Sequence, residues 1–303
     1  MESLGVVSGD GLIVVDKPAG MTSHDVVARI RRLARTRRVG HGGTLDPMAT
    51  GVLVIGVGRA TRLLTYVIGT DKSYRATLRL GQSTVTDDAE GEIVATVSAD
   101  RVGDDDIRTG LAALTGEIDQ VPSAVSAIKI DGQRAYKRVR DGEQVRLAAR
   151  RVIISRLDVL AIRRPEPAVI DVDIDVTCSS GTYIRAIARD LGAALAVGGH
   201  LTALRRTAVG DFTLADAAAL PELAERAPDV VDLPLAAAAR RLFPQRQVDA
   251  DEARVLSHGG PLDEAGIIGP YAVFGPDGAL IAIVSERGGR ARAEIVLASA
   301  TQG

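Results

Sequence analysis

The chain has one cysteine, no tryptophan and three phenylalanines in 303 residues, and the shortages remove whole classes of function. A single Cys178 excludes an internal disulfide, and with only four scattered histidines (His24, His41, His200, His258) it offers no metal-ligand spacing. No apolar run approaches the roughly 18 residues needed to span a bilayer, and the start lacks a basic region followed by a long apolar core. These absences predict a cytoplasmic protein with no membrane association. Neither G-x-x-x-x-G-K-[ST] nor a G-x-G-x-x-G between strand and helix occurs, so no nucleotide cofactor has a seat. The expected chemistry therefore uses no metal and no cofactor, only the protein's own side chains.

What is present is organised around Gly40-His41-Gly42-Gly43-Thr44-Leu45-Asp46-Pro47-Met48-Ala49-Thr50-Gly51. One carboxylate, Asp46, sits in a glycine-rich turn ahead of an apolar strand. The glycines permit φ > 0 and leave room for a bulky ligand, while Pro47 fixes φ and removes a donor. An Asp before Pro among glycines is also a common turn former whose carboxylate bonds nearby amides. The twelve residues alone leave both readings open.

Charge is nearly balanced overall, at −2, but unevenly placed. Thr22 and Asp25 form a capping-box pattern, and Val26, Val27, Ile30, Leu33 and Ala34 recur at helical spacing. Arg29, Arg31, Arg32, Arg35, Arg37 and Arg38 follow with no acid among them, a one-signed ridge suited to phosphates. A second basic stretch over 121–152 carries Lys129, Arg134, Lys137, Arg138, Arg140, Arg146, Arg150 and Arg151, with a short helix expected around Tyr136. The acids of Thr86 to Glu92 and of the helix beginning at Asp104 would repel a polyanion, which places them away from a binding face.

Lys72 to Leu80 alternates as a strand, with Tyr74, Ala76, Leu78 and Leu80 on one face. Ala168 to Cys178 alternates as clearly and leads through Ser179-Ser180-Gly181-Thr182 into a helix from Tyr183 to Ala196. Arg185 then lies in a first helical turn, where the dipole disfavours a cation. The compensating anion is expected to be Asp46. Pro221, Pro228 and Pro234 mark a junction, and from about Arg241 the pattern is short strands and Gly/Pro turns, a small β unit that should dock on the main one.

With these pieces in order, the chain resembles the TruB family of tRNA pseudouridine synthases. The resemblance runs over most of residues 10 to 210, through Lys17-Pro18-x-Gly20-x-Thr22-Ser23, Gly42-Gly43-Thr44-Leu45-Asp46-Pro47, Lys72-x-Tyr74-x-Ala76, Ser180-Gly181-Thr182-Tyr183-Ile184-Arg185 and Leu204-Arg205-Arg206. It implies an α+β fold: a mixed, largely antiparallel sheet crossed by a catalytic cleft, with a small C-terminal PUA-like β domain. The expected division is 1–235, with a basic projecting insertion near 121–152, and 236–303. The implied activity is isomerisation of the uridine at position 55 in the T arm of tRNA to pseudouridine by a monomer. Asp46 matches the family's catalytic aspartate, Tyr74 the tyrosine stacked on the target base and Arg185 the ion-pair partner of the acid. His41, Tyr183 and Leu204 match substrate-contacting positions, and Lys17 and Lys129 complete the expected substrate-binding set. A synthase of another RNA, or a non-catalytic RNA-binding or remodelling module, are the alternatives.

Overall fold

Alternation in Lys72–Leu80 does what it predicts: Lys72, Tyr74, Ala76, Leu78 and Leu80 are buried, and Arg75 is exposed. The structure, a computed structural model, describes residues 9–123, 129–130, 133–134 and 147–298. The chain opens with β1 (Gly11–Lys17), α1 (Ser23–Leu33), β2 (Val39–His41) and β3 (Thr50–Val57). A 3-10 turn over Gly58–Leu63 runs into α2 (Leu64–Gly69), then β4 (Lys72–Leu80), β5 (Gln82–Thr84), β6 (Ile93–Thr96), α3 (Asp104–Ala113) and β7 (Gly116–Gln120). Two short strands, β8 (Lys129–Ile130) and β9 (Gln133–Arg134), precede β10 (Arg150–Glu166), β11 (Val169–Cys178), α4 (Ile184–Ala194), β12 (Gly199–Val209) and β13 (Phe212–Thr213). The helix expected around Tyr136 lies outside the described residues.

The main sheet has ten strands in the order β14-β1-β3-β12-β4-β11-β10-β7, where β14 is Leu233–Pro234; β2 pairs with β3 and β13 with β12. All its pairings are antiparallel except β3 with β12, which run parallel and register only at Thr50 with Arg205 and Gly51 with Arg206. The sheet therefore opens beside these two strands, and the loop before β3 is delivered to the opening. Gly51 makes the junction possible: φ is +100°, and a Cβ there would lie 2.2 Å from the Arg206 carbonyl oxygen. Gly51→Ala is expected to destabilise beyond the ~0.5–3 kcal/mol of an ordinary substitution, read as a fall in Tm.

The other face of the sheet carries charge in pairs. Arg79 meets Asp171, Arg75 and Arg156 meet Asp175, and Arg163 meets Asp173. These acids of β11 are thus neutralised across the strands and leave the apolar face, with Ile170, Val172, Ile174 and Val176, for the core.

The last third departs from the expected pattern. Besides α5 (Leu220–Glu225) and α6 (Leu235–Leu242), a helix α7 (Ala250–Ser257) forms where only strands and turns were expected. Its signal was an Asp249/Glu252 capping box, with the Asp249 side chain accepting from the Glu252 amide. The strands β15 (Gln245–Gln247), β16 (Leu262–Asp263), β17 (Tyr271–Phe274), β18 (Leu280–Glu286) and β19 (Arg290–Val296) make a five-stranded sheet in the order β15-β17-β18-β19-β16. It docks on the main sheet: Leu12, Val14, Val52 and Val54 share one core with Ala272, Phe274, Ile283 and Leu297. Tyr66 of α2 also donates to Glu294 at 2.6 Å. Among the described residues no helix is long and apolar enough to cross a membrane.

Candidate active site

The loop from Gly42 to Pro47 is held at every residue. Gly42 donates to the Val54 carbonyl at 2.8 Å, and Ser23 at the start of α1 both accepts from the Leu45 amide (2.8 Å) and donates to its carbonyl (3.2 Å). Arg206, 1% exposed, reaches Gly43, Thr44 and Val52 carbonyls at 3.2, 3.3 and 2.7 Å. Ala49 donates to the Asp46 carbonyl, and Gly20 and Lys17 donate to that of Pro47. Gly43, at φ +119°, makes the turn that Arg206 seals. A backbone tied in this way presents the Asp46 side chain from a fixed base, which lowers the reorganisation any reaction there requires.

Asp46 opens into a cleft of about 260 Å³ lined by Thr44, Tyr74, Tyr183, Arg185, Leu204 and Arg206, among others. That is below the ~300–1,000 Å³ of pockets enclosing drug-sized ligands, and suits one planar base. Arg185 is the second residue of α4 and its side chain is 6% exposed. Its Nε lies 3.1 Å from the Asp46 carboxylate, its Nη1 3.3 Å from that of Asp88, and Nη1 donates to the Thr86 carbonyl at 2.9 Å. The dipole-disfavoured cation thus bridges two anions, one of them the expected Asp46.

Burial raises the Asp46 carboxyl above the ordinary aspartate value; Arg185, Lys17 and Arg206 oppose the rise, and Asp88 adds to it. The side chain keeps 35% of its surface open to the cleft mouth, so it is desolvated by the walls around it while still accessible. Burial also pushes the Tyr74 phenol up, against the charge and hydrogen bonding of Arg206. The site combines an ionisable carboxylate, a neutral phenol and an apolar wall at Leu204. A carboxylate so placed can attack carbon or move a proton on a group held in the cleft.

Of the expected site residues, Asp46, Tyr74, Tyr183, Arg185 and Leu204 meet in this cleft. His41 stands outside its lining, at the end of β2, its ring edge-on to His24 at 5.3 Å between centroids; burial and the His24 charge lower its pKa. Lys17 stands behind the cleft. It is fully buried, with Nζ donating to the carbonyls of Pro18, Met21 and Pro47, so it supports the loop from behind, and it is not among the residues that line the cleft. The Lys129 side chain lies outside the described residues. The acidic turn is a correction: Asp88 is buried on Arg185, and Asp46 and Asp88 both bear on Glu90, so this turn borders the cleft. Four side chains escaped the sequence reading: Asp88, Gln120, Ser23 and Arg206. Of these, Ser23 and Arg206 carried a sequence signal, each closing a motif that bears the resemblance, Lys17-Pro18-x-Gly20-x-Thr22-Ser23 and Leu204-Arg205-Arg206. Among the described residues no group of three or more His, Cys, Asp or Glu could hold a metal ion.

Comparison with known proteins converges on one family. Residues 31–184 match the N-terminal domain model of the TruB family of pseudouridylate synthases, residues 185–230 the tRNA pseudouridylate synthase B C-terminal domain, and residues 243–298 the C-terminal model of tRNA pseudouridine synthase II. The tRNA pseudouridine synthase B of Arthrobacter sp. (strain FB24) is 58% identical over 303 residues, covering 96% of this chain and 98% of that protein. That of Mycobacteroides abscessus is 58% identical over 291 residues, covering 96% and 97%. A solved H/ACA RNP bound to a substrate RNA containing 2′-deoxyuridine superposes with a TM-score of 0.71 at 25% identity, over 95% of this chain and 85% of that one. The tied aspartate loop, the Arg185 bridge and nearly full-length similarity agree: the chain belongs to the TruB family of pseudouridine synthases.

Proposed function

We propose that this protein isomerises the uridine at position 55 in the T arm of tRNA to pseudouridine, acting as a monomer in the cytoplasm. The observation that carries the chemistry is an accessible carboxylate on an immobilised loop, paired with a buried Arg185 and facing Tyr74. A tRNA substrate is supported by the near-full-length relatives, named tRNA pseudouridine synthase B, and position 55 by the resemblance to the family. The reading divides the chain at 235/236, with 1–235 as the catalytic unit and 236–303 as a PUA-like unit.

The reaction breaks the bond from N1 to C1′, turns the base and joins C5 to C1′, with no net redox change. The target base must leave its stack to reach the cleft. Extrusion costs a few kcal/mol, and an aromatic platform returns about 1–3 kcal/mol per base, so stacking on Tyr74 roughly balances it. A carboxylate needs no adjacent base to act as nucleophile. Asp46 can add to C6, attack C1′ or take the C2′ proton, and each step needs it ionised beside Arg185. The exposed arginines Arg29, Arg31, Arg32, Arg35, Arg37 and Arg38 supply phosphate contacts that position the arm without reading its sequence.

Incubation with an unmodified tRNA transcript, followed by mapping of pseudouridine, tests the assignment. Product at position 55 supports it; product elsewhere, or in another RNA, moves the substrate; binding without product under all conditions leaves a binding module. Tyr74 supplies a second test. Its raised pKa keeps the phenol neutral, so once C5 is joined to C1′ it can take the C5 proton as its own proton passes on, to N1 of the same base or to water, with no net change in protons. Tyr74→Phe is expected to bind RNA within about twofold of wild type and to lose about 10²- to 10⁴-fold in single-turnover rate. Equal rates would remove the hydroxyl from the mechanism.

A further inference from the structure

The helix that carries Arg185 has no cap of its own. Tyr183 is the N-cap residue of α4, and its side chain makes no capping hydrogen bond. Helix N-termini ordinarily recruit Ser, Thr, Asp or Asn for their unpaired amides. Here the fastening comes from the far edge of the sheet. Gln120, the last residue of β7, is 2% exposed; it accepts from the Tyr183 amide at 2.8 Å and donates to the Tyr183 carbonyl at 3.1 Å. One helical turn on, Arg189 donates to the Val121 carbonyl at 2.7 Å and lies 3.4 Å from the Asp87 carboxylate. Asp87 in turn sits between Thr86 and Asp88, which both contact Arg185. Gln120, which ends β7, and Val121 after it thus hold α4 at its start and one turn further on.

We infer that Gln120 is a positioning residue for the isomerisation: its carboxamide engages both backbone groups of Tyr183, fixing the start of α4 and with it the places of Tyr183 and Arg185 against Asp46. Gln120 does not line the cleft, so it acts through Tyr183. The inference rests on the function proposed above. A carboxamide suits the task because it presents one donor and one acceptor in a single plane. A carboxyl group matches that pattern only when protonated. An ionised one would set two acceptors against the Tyr183 carbonyl.

This difference makes the proposal testable with Gln120→Glu. Desolvation raises the pKa of a carboxyl placed at so buried a position. The charged groups around this position are Arg189 of α4, which donates to the carbonyl of the adjacent Val121, Asp87, which pairs with Arg189, Arg150, its register partner on β10, and Arg185, two residues on from Tyr183. Asp87 titrates as well, with its pKa raised by burial, but it is common to both proteins and cancels in a ratio to wild type. Single-turnover rates and RNA dissociation constants are measured on unmodified tRNA from about pH 5.5 to about pH 9 for wild type, Gln120→Glu and Gln120→Met. The Gln120→Glu to wild-type rate ratio is expected to fall at least about tenfold as pH rises, with Kd unchanged within about twofold. Gln120→Met is expected to be about tenfold slower at every pH with the same Kd. A ratio that stays constant across the range, or Gln120→Met turning over at the wild-type rate, overturns the proposal. If Gln120→Met does not fold, the Gln120→Glu profile decides alone. Wild type that makes no pseudouridine refutes the functional assignment instead.

Discussion

Asp46→Asn is expected to abolish pseudouridine formation while RNA binding survives. The amide keeps the shape of the side chain and the tied backbone from Gly42 to Pro47, but it is neither a nucleophile nor a base at neutral pH. A loss of at least about 10⁴-fold in single-turnover rate is the scale for removing a group that makes or breaks bonds. Stability should move the other way. Burial holds the Asp46 carboxyl above its ordinary value, so the native state binds this proton more readily than the unfolded chain. Ionisation therefore costs folding stability as pH rises from the unfolded value of about 3.9 through the raised native one. A neutral amide removes that cost, so Tm at neutral pH should not fall, and the gain is small because a third of the side chain reaches solvent. Loss of activity with intact binding and undiminished Tm separates chemistry from folding. Product at wild-type rate would show that Asp46 only shapes the turn.

The residues legible from sequence were those whose chemistry and local setting coincide. Asp46 lies in a turn that glycine must build, Arg185 at a helix start that repels cations, and Tyr74 on an alternating strand, so short windows marked these positions, and the resemblance over residues 10 to 210 supplied their roles. What escaped depends on partners far along the chain. Arg206 reads as a strand arginine until β3 brings the carbonyls of Gly43, Thr44 and Val52 around it. Lys17 reads as a free cation until the turn after β1 supplies the Pro18 and Met21 carbonyls and the distant aspartate loop supplies that of Pro47. The acidic turn was misplaced for an instructive reason: charge was judged against RNA, when the nearer determinant was the Arg185 guanidinium, which needs Asp88 as well as Asp46. The long strand β10 hides its alternation: Val152, Ile154, Leu157 and Val159 turn toward the core, but the opposite face carries the exposed Ile153 and Leu160, so residue type does not mark the buried side.

Arg185→Lys preserves charge and should still lose about 10²- to 10³-fold in single-turnover rate, the loss typical of removing one preorganised electrostatic contact. The guanidinium divides its donors: Nε serves Asp46, and Nη1 serves Asp88 and the Thr86 carbonyl. A single ammonium on a shorter reach cannot span both carboxylates, and a planar fork is not replaced by a point charge. Its departure also changes how Asp46 titrates. Arg185 is the strongest influence lowering a carboxyl that burial has raised, so a displaced cation lets the pKa climb further. In the proposed mechanism activity needs the ionised form; the rate should therefore rise with pH up to that pKa, and the acid limb of the profile should move to higher pH in Arg185→Lys. Asp88→Asn supplies the opposite sign. It removes the like charge that raises Asp46, so its acid limb should move to lower pH even as the loosened Arg185 slows the reaction. A merely structural arginine would shift Tm and leave both limbs where they were. Wild-type rates with unmoved limbs in the two variants would take the Arg185 bridge out of the mechanism and leave Asp46 to be held ionised by Lys17 and Arg206, the remaining cations that bear on it.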